Sequence, residues 1–142
     1  MIKPIPPPQW ETTEARQWVA EQMGLPYHDD MQDWPWEVAD SERIEDYIQL
    51  YDRAADAGRI VIMEMLLQAA TEQSNFKKLR LAWGKIEVLL TQNAHLHAST
   101  AQYWCLRDRD EQAFKRSCFR VSPYIRAWWV ANYPIPNGWA AS

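Results

Sequence analysis

The stretch Arg59–Glu72, RIVIMEMLLQAATE, constrains this chain more than any other. Its polar residues Glu64, Gln68, Thr71 and Glu72 recur at helical spacing and form one narrow stripe. Nearly every other position from Ile60 to Ala70 is apolar. A surface helix hides a single stripe, whereas a helix that is apolar around most of its girth must be covered on several sides. The pattern therefore predicts a central helix over about 59–73 with the rest of the chain wrapped on it. A chain of 142 residues can bury such a core as one domain without disulfide or metal staples.

Breaks and caps divide the remainder. Residues 1–11 hold four prolines and read as an extended Pro-rich arm. Thr12 or Thr13 caps a helix that Gly24 ends and Pro26 keeps from restarting. Residues 25–40, LPYHDDMQDWPWEVAD, read as an irregular acidic connection, because Pro26 and Pro35 forbid a regular helix through it. Asp40 or Ser41 opens the next helix, with Ile44, Tyr47, Ile48 and Tyr51 on its apolar face and Gly58 at its close. Ser74 or Asn75 opens another, whose buried face runs through Phe76, Leu79, Trp83, Ile86 and Leu90. Gly84 inside it suggests close approach of another backbone. Residues 91–99 read as a connector. Short helical stretches follow around Tyr103–Leu106 and Phe114–Phe119, and Ser122-Pro123 starts the last helix. Residues 134–142 are expected to form a flexible tail. No segment alternates, so the fold class is all-α, a single-domain bundle of about five or six helices.

Composition narrows the function classes. The net charge of −4 is uneven: residues 1–58 carry 4 basic and 13 acidic side chains, residues 59–142 carry 11 and 6. The simplest expectation is that the two halves of one domain pair their charges. Two cysteines, Cys105 and Cys118, form no disulfide framework. Neither an apolar signal segment nor a membrane-length run is visible, and the chain is expected to be cytoplasmic. Nine Trp are unusual, and each brings a large apolar area and one N–H donor that wants a partner.

Four scattered glycines exclude a phosphate-cradling loop or dinucleotide fingerprint, and no CxxC, HExxH or GxSxG occurs. No cofactor is implied. His95 and His97 could share a metal if their segment were extended, but would diverge on a helix. His28-Asp29 resembles the adjacent pair of helical HD-type phosphohydrolases. That family has a further upstream His, absent here, and carries the pair on a helix. A metal-dependent hydrolase using His28, His95 and His97 is thus the most distant alternative. Glu64, midway along the apolar helix, is expected to pair with an Arg of the basic half. Arg107, Arg109, Lys115, Arg116, Arg120 and Arg126 interleave with aromatics, a pattern that could bind nucleic acid by stacking and phosphate pairing.

The leading reading is a small helical protein–protein interaction module without catalysis, of immunity, antitoxin, inhibitor or adaptor type. No membrane partner is expected, and self-association is left open. The partner surface is placed on the connection, at Tyr27, Asp29, Asp30, Asp33, Trp34 and Trp36. There Trp34 and Trp36 would project together from an extended segment as paired anchors above an acidic rim.

Overall fold

The computed structural model describes residues 2–139. Among them are eight α-helices and no strand: α1 (Thr13–Met23), α2 (Trp34–Val38), α3 (Ile44–Arg53), α4 (Asp56–Thr71), α5 (Phe76–Gln92), α6 (Ala94–Trp104), α7 (Glu111–Ser117) and α8 (Ser122–Asn132). The short α2 and α7 bring the number above five or six. No described helix is long and apolar enough to cross a membrane.

Helix α4 is the axis of the bundle, with α1, α2, α3, α5 and α6 all packed against it. Val61, Ile62, Met63, Met65, Leu66, Leu67, Ala69 and Ala70 are fully buried, so it is covered on nearly every side, as its composition requires. Only Glu64 and Gln68 in its middle reach partial exposure.

Local chemistry sets several helix ends. The Thr12 hydroxyl accepts from the Ala15 N–H at 3.0 Å and starts α1, and Gly24 closes it in the left-handed region at φ 66°. Asn75 caps α5 by accepting from Lys78 N–H, and Asp110 caps α7 by accepting from Ala113 N–H. Gly58 does not close α3. It lies inside the first turns of α4, where an added Cβ would stand 3.3 Å from Ala54 Cβ and 3.6 Å from the Trp18 ring. The turn before α4 is instead Ala54-Ala55.

Several other expectations are corrected by packing. Residues 94–99 are not a connector but the first turns of α6. Phe76 is 57% exposed beneath the Arg120 guanidinium, not part of the core. Gly84 lies on the outer face of α5, and a Cβ added there would meet nothing within 4 Å, so no backbone crosses at that point. Residues 134–139 are docked. The Trp129 indole donates to Pro134 O, the Trp139 indole donates to Arg107 O, and Glu111 N–H donates to Gly138 O. The remainder of the expected tail, 140–142, lies outside the described residues. The two halves pair their charges at one place among four ion pairs of the described residues, the exposed Lys85–Glu45 pair; the other three lie within one half.

Candidate functional site

Pro35 occupies the first turn of α2, where a missing N–H costs nothing, so the connection contains one helical turn rather than an extended run. That turn separates its two Trp side chains, since residues two apart diverge on a helix. Trp34 faces inward at 0% exposure, its indole N–H donating to Pro26 O at 2.7 Å and Tyr27 packed edge-on against it. It pins the loop and is not available to a partner, contrary to the paired-anchor expectation. Tyr27 is half-buried with it. Asp29 and Asp30 are exposed at a turn.

Trp36 points the other way, into a cleft of about 260 Å³ between the N-terminal arm, α1, α2, α4 and α6. Its ring stacks on Tyr103, with centroids 5.2 Å apart, and meets Trp104 edge-on at 5.8 Å. Trp10 of the arm, 74% exposed, and Tyr103, 47% exposed, stand at the rim with Asp33.

Glu64 enters this cleft from α4. The Trp36 indole donates to its Oε2 at 2.7 Å and the Trp104 indole donates to the same oxygen at 2.9 Å. Burial raises the Glu64 pKa. The indole hydrogen bonds of Trp104 and Trp36 oppose that rise, the negative charge of Glu11 adds to it, and Thr100 is a further donor. No Lys or Arg among the described residues forms an ion pair with Glu64. In place of the expected arginine stand neutral donors, the Trp36 and Trp104 indoles and Thr100.

Glu11 lines the same cleft. It pairs with Arg16, which also donates to Met31 O and Gln32 O and so ties the arm and the connection to α1. The second oxygen of Glu11, Oε2, is buried with no hydrogen-bond partner. The cleft thus gathers three carboxylates, Glu11, Asp33 and Glu64, against one guanidinium already engaged by Glu11 and two carbonyls. Of the residues singled out by sequence, Asp33, Trp36 and Glu64 reach the cleft. Glu11, Thr100 and Tyr103 carried no signal as members of a site.

Of the six basic residues of the basic–aromatic segment, Arg126 is buried and Arg107 and Arg120 are half-buried. Arg126 is 7% exposed and donates to Cys105 O, Leu106 O and Arg109 O, with Glu111 at 3.5 Å. Its guanidinium lies 3.7 Å from the Phe114 ring centroid and 4.0 Å from that of Trp139. Arg120 donates to Gln73 O and Thr71 O, and Arg107 lies over Trp129. Arg126 is thus enclosed by its own chain, while Arg107 and Arg120 keep part of their surface. Arg109, Lys115 and Arg116 are exposed.

The histidines do not converge. His95 and His97 diverge on α6, His95 exposed and His97 fully buried with its Nε2 hydrogen-bonded to the Tyr51 hydroxyl at 2.6 Å. Burial, with the charges of His95 and Arg59, pushes the His97 pKa down to about 3, so it is neutral. His28 sits exposed in the connection, and no three His, Cys, Asp or Glu among the described residues are grouped to hold a metal.

What stands, then, is an all-α bundle with one acidic, aromatic cleft against its central helix. No family model, curated protein or solved structure matches the chain, so the cleft is read from its own chemistry.

Proposed function

We propose that this protein is a non-catalytic protein–protein interaction module and that the cleft between the arm, α2, α4 and α6 is where its partner docks. The observation that carries this reading is Glu64. A carboxylate on the most buried helix is held in place by two indole donors and lacks a cation, in a chain that has 15 Lys and Arg. Leaving it so lowers the stability of the free protein, a cost commonly found at sites retained for function. Size supports the same reading. About 260 Å³ falls below the roughly 300–1,000 Å³ of pockets for drug-sized ligands and suits one side chain of a larger partner. Exposed aromatics at a concave rim are typical anchors of such interfaces. The half-buried Cys118 and buried Cys105 are free thiols, which supports a reducing compartment and hence the cytoplasm.

Trp10 provides the test because it is largely exposed. A Trp10→Ala variant should melt like the wild type and bind less of the partner that wild-type protein captures from its native host. Undiminished capture by that variant would remove the cleft from consideration.

A second reading, proton transfer by Glu64, draws support from its raised pKa. It ranks behind docking because both indoles fix the same oxygen and make the carboxylate a positioned acceptor. Its mark would be a turnover abolished in Glu64→Gln with binding intact. Nucleic-acid binding draws less support, since Arg126, one of its six proposed contacts, is buried and engaged by its own chain.

A further inference from the structure

We infer that this chain pairs with a second copy of itself through the outer face of α5, the two helices crossing antiparallel at Gly84 with Arg80 of each copy against Glu87 of the other. The inference is independent of the docking reading above, since none of these residues lines the cleft.

The fold leaves one side of α5 open. Its inner side buries Leu79, Trp83, Ile86 and Leu90. Its outer side presents Leu81, 63% exposed, and Val88, 51% exposed. These two stand seven positions apart, two turns of helix, so they lie on one line along it. Gly84 lies between them, and a Cβ added there would meet nothing within 4 Å. Glycine inside an exposed helix lowers its stability, and no contact within this chain requires one here. What Gly84 provides is a notch between two apolar side chains, where another backbone can come close.

Charge selects what fills the notch. Arg80 and Glu87 are also seven positions apart, on a line beside the first. Both are exposed, and neither enters an ion pair among the described residues. A two-fold axis through Gly84, perpendicular to α5 and lying in the plane of contact, reverses the direction of the helix and keeps each flank on its own side. It brings Arg80 beside Glu87 of the other copy, twice by symmetry, and Leu81 beside Val88. On the opposite flank Lys85 comes near Lys85 of the other copy, but each is already paired with Glu45 of its own chain. A parallel pairing would set Arg80 beside Lys85 and leave Glu87 facing Gln92. The face is therefore complementary to itself in the antiparallel sense. A crossing of two single helices is small beside the roughly 1,200–2,000 Å² of stable complexes, so the pairing is weak and depends on concentration.

Sedimentation equilibrium of the full chain from about 10 μM to about 1 mM covers a dimer of that strength. Wild type should show a monomer–dimer equilibrium. Arg80→Glu and Glu87→Arg, each alone, set like charges together at both contacts and should weaken self-association about tenfold or more. Mixed in equal amounts, the two variants should form a heterodimer as tight as the wild-type dimer, because each copy supplies the charge the other lacks. Gly84→Gln fills the notch and should lose the dimer while melting no lower than wild type, since a better helix former then stands in open space. Wild type that stays monomeric throughout would overturn the inference and leave the face to a different partner. A dimer unchanged by Gly84→Gln, or a mixture that associates no better than its components, would overturn it equally by placing the contact elsewhere.

Discussion

Two buried charges, Glu64 and Arg126, are treated in opposite ways by the same fold. All three guanidinium nitrogens of Arg126 are answered from within: three carbonyls, the Glu111 carboxylate, and the Phe114 and Trp139 faces above and below. Glu64 is answered by two neutral indoles and opens on a cleft. A charge satisfied wholly by its own chain holds elements together. A charge met only by neutral donors beside open space keeps an attraction for a counter-ion. The contrast separates Arg126, built into the scaffold, from Glu64, which borders open space on the central helix.

The comparison can be broken most forcefully at Arg126. Arg126→Ala leaves three carbonyls and Glu111 without their shared donor, and should cost about 3–5 kcal/mol in equilibrium denaturation. A loss of under about 1 kcal/mol, as at ordinary surface sites, would show that the cage is not structural.

Trp36→Ala should cost less, about 1–3 kcal/mol, because the ring is half-buried and gives up one stack and one hydrogen bond. A fall in stability matching that of Arg126→Ala would make the cleft wall as structural as the Arg126 cage.

Glu64→Gln should act in the other direction. Burial raises the pKa of Glu64 in the folded state, so the folded protein binds that proton more tightly than the unfolded chain does. The penalty for the charged form is fully present above the folded pKa and absent below the unfolded value. The variant should therefore be more stable than wild type at neutral pH, by about 0.5–2 kcal/mol, and the gain should vanish as the pH is lowered into the acid range. Denaturant titrations at several pH values check this, and a variant destabilised at neutral pH would mean that the carboxylate is structural after all.

The smallest effect belongs to Lys115 and Arg116, exposed on α7. Lys115→Ala/Arg116→Ala should change stability by no more than about 0.5 kcal/mol and leave cleft binding unaltered. Loss of the native partner in this variant would return the interface to the basic half.

The chain by itself determined the central helix and several helix ends. The apolar girth of α4 is written in consecutive residues, and its burial follows because no single neighbour could cover it. The caps at Thr12, Gly24, Asn75 and Asp110 involve atoms within a few residues of one another, so local hydrogen bonding decides them. Direction in the connection was not legible in this way. Trp34 and Trp36 share one composition and one loop, and a single helical turn sent one into the core and the other to the cleft. The arginine expected for Glu64 was equally out of reach. Charge totals state that cations exist, not which of them packing brings near. Glu64 meets Trp36 across 28 positions of sequence and Trp104 across 40. Such meetings are fixed by how α2 and α6 pack on α4. No local term carries that information, because the energy that selects the arrangement is summed over the whole core.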